Sequence, residues 1–261
     1  MEGLSHMNSK LKRRIFFDLL ILSYLLFSYY ALGKWWHSSA GSVLIIFFSY
    51  LLWKKDFLKH TGLDLNLATV LKSVTMAVVI VICSLFIMKY IAGKHNVIIS
   101  YTGWKNYYHD VFYILNEEIV IGAIILFWMV DKRKINPLTA TAGLAVFFAL
   151  IHYVFYRWIF NDRGIIGISA LITLFLVGFV RNSLILHTRH IGYSWALHFG
   201  WMAIMFGSMH IYSETDIRLT ELERFNTYLG SPCMVMISAL AAGLTILYGI
   251  KKDLIRPSRI R

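Results

Sequence analysis

The stretch YILNEEIVIGAIILFWMV, residues 113–130, places two adjacent carboxylates, Glu117 and Glu118, inside an apolar run long enough to cross a bilayer. A spanning helix needs roughly 20 apolar residues, within a range of about 17–25. A charged residue at its centre costs about 2.5–3.5 kcal/mol on insertion scales. Carrying that cost twice in succession implies a use, either in chemistry or in holding helices together. Neighbouring residues on an α-helix point about 100° apart, so the pair is expected to face two different surroundings. One carboxylate should face a central cavity and the other a neighbouring helix.

The rest of the chain has the same character. Of its 261 residues 58% are hydrophobic and only 15% charged, with a mean hydropathy of +0.61. Soluble domains average about 45–50% and about 25%. Eight apolar segments are candidate spans: 15–33, 38–53, 70–92, 109–130, 139–160, 165–181, 191–212 and 233–250. The expected fold is all-α, a polytopic transmembrane bundle of about eight spans forming a single membrane domain over 1–261, with a catalytic-like core at about 109–212. The first span is too long for a removable signal peptide and lacks a small-residue cleavage site.

Lysine and arginine placement supports that count. With a cytoplasmic N-terminus, 17 of the 26 fall in inner segments, among them Lys132, Arg133, Lys134, Arg181 and Arg189, and 8 fall outside, with Lys72 within a span. This bias is the positive-inside pattern and puts both termini in the cytoplasm. It also accounts for the net charge of +12 without nucleic acid, since the basic residues are scattered between apolar spans and form no patch. Cys83 and Cys233 offer no CxxC pair, so neither a disulfide nor a thiolate metal site is expected. In the outer loop 213–232, a stripe of Ile217, Leu219, Leu222 and Phe225 suggests a short surface-lying amphipathic helix.

Ionisable residues within spans face the bundle interior and are functional candidates by default. Besides the glutamates these are His152 and His198, each the sole histidine within the body of its span. A lone buried histidine is as readily a packing residue as a ligand. A glutamate pair and two histidines on three different spans, however, can converge in a bundle core as cofactor and metal sites do. Asn116, just before the pair, is positioned to orient a carboxylate or to pack.

The order Glu117–Glu118, then Phe148 to His152 as FxxxH, then FLVGFVRNSLILHTRHIGYSWALHFGWM ending around His198, resembles the CPBP intramembrane proteases, also called the Abi or CaaX-processing prenyl protease family. The resemblance covers residues from about 111 to 205. It implies an endopeptidase in which Glu117 activates water, Glu118 assists, and His152 and His198 steady the water or the tetrahedral intermediate. The implied substrate is a peptide or protein tail at the bilayer. Metal use is disputed for that family. Two histidines and one glutamate can hold zinc with water in the fourth position, so Glu117, His152 and His198 are the metal set if a divalent ion takes part. The chain departs from the family pattern twice. Gly122 stands where EExxxR has arginine, and Met202 stands where HxxxN has asparagine. Asn116, Arg157 and Tyr153 are the expected substitutes for the missing groups. The alternatives are a catalytically silent scaffold or immunity factor, and a proton-coupled transporter; the latter would show inverted repeats, and none is seen.

Overall fold

The computed structural model describes residues 9–28, 34–96, 99–101, 103–155, 167–205, 209–211, 230 and 232–251. Arg157 and the stripe at 217–225 lie outside them. Among the described residues the elements run α1 (Ser9–Ser28), α2 (His37–Trp53), the short α3 (Phe57–Thr61), α4 (Leu67–His95), β1 (Ile99–Tyr101), α5 (Trp104–Glu117), α6 (Pro137–Phe155), α7 (Gly167–Thr188), α8 (Gly192–Met205), β2 (Met209–Ile211) and α9 (Pro232–Lys251). Each apolar segment singled out in the sequence overlaps a helix, but among the described residues only four stretches are long and apolar enough to cross a membrane, Leu67–Lys94, Trp104–Lys132, Pro137–Val154 and Ile168–Thr188, which does not establish the expected eight.

The caps follow local chemistry. Asn66 accepts from the Ala68 backbone N–H at 2.9 Å to start α4. Asn136 accepts from Leu138 N–H at 2.9 Å to start α6, with Pro137 at the first helical position, where no N–H is needed. One feature absent from the sequence expectation is a small ribbon. Ile99–Tyr101 pairs antiparallel with Met209–Ile211, tying the α4–α5 link to the segment after α8.

Helix α5 is the hub. It packs on α2 and α8, and it continues past Glu117 as π-helical turns over Glu118–Ile125 and Trp128–Lys132, the last closed by Arg133 N–H donating to the Trp128 carbonyl at 3.0 Å. In the Trp104–Lys132 stretch 72% of the most apolar window is buried, against 17% for that of Leu67–Lys94. The remaining helices pair around this hub: α1 with α2, α4 with α8, and α6 and α9 on either side of α7.

The distribution of polarity is inverted relative to a protein in water. Large apolar side chains lie exposed along α4 (Leu71, Val78, Phe86), α6 (Val146, Leu150) and α9 (Met236, Leu240, Leu247). The buried set includes Glu117, Glu118, Arg181, Asn116, Asn182, His152 and His198. Outward apolar surface of this extent needs an apolar surrounding, and inward ionisable groups are where membrane bundles keep their functional residues.

Candidate active site

Four helices meet at the glutamate pair. Helix α5 delivers Glu117 and Glu118, both 0% exposed; α6 delivers Phe148 and His152; α7 delivers Arg181; α8 delivers Ser194 and His198. A carboxylate oxygen of Glu117 and a ring nitrogen each of His152 and His198 lie within 4.8 Å of one another. The three residues drawn from separate spans in the sequence therefore share one locus. His198 sits mid-helix in α8.

The two carboxylates are held differently. Glu118 accepts from the Ser194 hydroxyl at 2.5 Å and from His198 Nδ1 at 3.0 Å, and Arg181 Nε lies 3.2 Å from its Oε2. Those donors occupy both of its oxygens. Glu117 accepts from Arg181 Nη1 at 2.8 Å on Oε1, and from the Tyr113 hydroxyl on Oε2 only at a long 3.3 Å. It therefore keeps lone pairs for another partner. The expected divergence of the pair holds for their protein neighbours, with one exception: a single guanidinium reaches both.

The histidines are oriented from behind. A backbone carbonyl can only accept, so the 2.8 Å contact of His152 Nδ1 with the Phe148 carbonyl makes Nδ1 a protonated nitrogen. His198 Nδ1 likewise donates to Glu118. Phe148 is the wedge between these groups. Its ring lies 4.3 Å from that of His152 and 5.8 Å from that of His198, with the Arg181 guanidinium 4.7 Å over its face. A Cβ on Gly178 of α7 would come within 3.0 Å of the same ring, so the glycine permits this close α6–α7 approach.

Arg181 and Ser194 are the residues that reading the sequence passed over. Arg181 falls at the end of span 165–181 and reads there as a loop cation of the inner face. Helix α7 instead runs on to Thr188, which places Arg181 about two turns inside it, 1% exposed. The signal was the apolar residues on both sides of it, in FLVGFVRNSLIL. Of the expected substitutes, Asn116 and Tyr153 do not take its place, and Arg157 lies outside the described residues. Asn116 donates from Nδ2 to the Ser38 carbonyl at 3.0 Å and accepts from the Ser42 hydroxyl at 2.6 Å, so it joins α5 to α2. Tyr153 is 42% exposed on the outer face of α6. Met202 is half-buried on α8. Asn116→Leu removes both bonds to α2 but leaves the Ser42 hydroxyl able to donate to the Ser38 carbonyl at 3.1 Å, so it is expected to cost about 0.5–1.5 kcal/mol of stability. Any activity per folded molecule should stay unchanged, as thermal unfolding in detergent combined with a normalised cleavage assay will show.

A cavity of about 230 Å³ opens near the start of α6 and the end of α7, lined by Thr141, Ser183, His187 and Arg189 among others. None of Glu117, Glu118, His152 or His198 lines it. Arg189 there is held by an exposed ion pair with Asp131 and lies over the Phe127 ring. No family model, no curated protein and no solved structure matches the chain.

Proposed function

We propose that the protein is an intramembrane endopeptidase of CPBP type, in which Glu117 activates a water for attack on a peptide bond of a membrane-associated peptide or protein tail. The observation that carries this reading is the meeting of Glu117, His152 and His198 at one buried locus, with Glu118 engaged by Ser194 and His198 and the Tyr113 contact on Glu117 a long 3.3 Å. The proposed architecture is eight spans with both termini cytoplasmic, in a bacterial inner membrane.

In the mechanism, a water between Glu117 and the two histidine rings gives a proton to the carboxylate as its oxygen bonds to the peptide carbonyl carbon. A ring nitrogen of one histidine accepts the water's other O–H and fixes its orientation. Glu117 then returns the proton to the amide nitrogen as the C–N bond breaks, leaving a carboxylic acid and an amine, between which the remaining proton passes to give carboxylate and ammonium. Glu118 stays bound to His198 throughout and holds the ring, as an orienting carboxylate does in acid–base dyads.

The donor set also fits a divalent metal such as zinc. Both rings donate their second nitrogen to a carbonyl or carboxylate, as metal-binding histidines do. Glu117, His152 and His198 would hold the ion, which would supply Lewis acidity and an acidified water. The second reading, a catalytically silent relative serving as a scaffold or immunity factor, draws on Met202, whose thioether cannot donate the hydrogen bond that a family asparagine would.

His198→Ala and His152→Ala separate the two readings. Each is expected to lower the yield of new C termini among membrane proteins of expressing cells by about 10²-fold or more. Yields unchanged from wild type at equal expression would favour the scaffold.

A further inference from the structure

We infer that Gly122 and Arg181 are a matched pair, in which the missing side chain at 122 seats a guanidinium delivered from α7, and that this cation aims the Glu117 carboxylate. The inference rests on the reading of Glu117 as the water-activating group. A Cβ on Gly122 would fall 2.7 Å from Ile185 Cδ1, 3.1 Å from Glu118 Oε2 and 3.4 Å from Arg181 Nη2. Any larger side chain at 122 would therefore enter the volume shared by the guanidinium and the carboxylate. The fork itself is specific: Nη1 is 2.8 Å from Glu117, Nε is 3.2 Å from Glu118, and the plane lies over Phe148. Lysine, a point charge on a flexible stem, does not reproduce that geometry.

Position 122 follows Glu118 by four residues on the same helix, the spacing at which helical side chains meet. An arginine there would bring a guanidinium to the same carboxylates from α5 instead of α7. At the Cβ itself the Ile185 methyl must move, and the Glu118 carboxylate must give by a few tenths of an ångström. The site thus has room for one cation with two possible origins, and this chain uses the one on α7. Arg181 is accordingly a positioning residue and Gly122 its seat.

The test is a relocation cycle in the full-length protein: wild type, Gly122→Arg, Arg181→Gly and the double variant Gly122→Arg/Arg181→Gly. Thermal unfolding in one detergent and new C termini in expressing cells are both measured. The expected result is loss of unfolding temperature and about tenfold or greater loss of cleavage in each single variant, with the double variant recovering most of both. Gly122→Leu/Arg181→Gly fills the space without charge. It should regain neither unfolding temperature nor cleavage, because both carboxylates stay without a cation, which a merely space-filling role would not predict.

The inference is overturned if the double arginine variant is no better than the poorer single variant. It is equally overturned if the leucine control restores cleavage as well as the arginine does. If wild type yields no Glu117-dependent termini, the protease reading fails on its own, and the unfolding temperatures of the cycle still decide whether 122 and 181 are coupled.

Discussion

Glu117→Gln is expected to remove cleavage almost completely, by about 10²–10⁴-fold for loss of a general base, while leaving the fold in place. The amide keeps the shape of the side chain, and its oxygen still accepts from Arg181 Nη1, now 2.8 Å from Glu117 Oε1. The formal charge count at the site improves: two carboxylates facing one guanidinium become one facing one. Stability should therefore hold or rise, since a buried charge without full compensation is expensive. A variant that unfolds at or above the wild-type temperature and still cleaves normally would remove Glu117 from the mechanism. The same substitution at Glu118 should act differently, because Ser194, His198 and Arg181 all depend on that carboxylate. It would disturb the orientation of His198 and not the water-activating oxygen.

The second large effect is on stability. Arg181→Met preserves length and apolar contact with Phe148 but leaves both carboxylates at 0% exposure without a cation. Removing one partner from a buried ionic network costs about 3–5 kcal/mol, read as a lowered unfolding temperature and poor membrane accumulation. Arg181→Lys should fall between, keeping the charge but losing the two-pronged contact. Combining Arg181→Met with Glu117→Gln should recover part of the loss, because fewer unpaired charges remain. Equal unfolding temperatures for wild type and Arg181→Met would show that the guanidinium is not what holds the carboxylates.

Much of this arrangement was legible in the residues. Apolar run lengths locate the helices, because a hydrocarbon surrounding leaves little latitude in how a helix is composed. Glu117, His152 and His198 stand out because each interrupts such a run, and the structure brings these three together. Arg181 did not stand out. Charge counting assigns an arginine at a span end to the loop, and only the onward course of α7 to Thr188 shows that it lies within. Asn116 carried a polar signal as strong as the histidines, yet its bonds to Ser38 and Ser42 are helix glue. Side-chain polarity inside a span shows that a partner exists but does not say which one. The π-helical turns after Glu118 and the ribbon joining Ile99–Tyr101 to Met209–Ile211 depend on packing between distant segments, which local periodicity does not encode.

The central claim is that Glu117, backed by two oriented histidines, hydrolyses peptide bonds at the membrane. The most direct measurement maps new C termini in the membrane fraction of cells expressing wild type or Glu117→Gln at matched levels. The account predicts a discrete set of termini present with wild type and missing with the variant. An identical set of termini in the two samples would contradict it.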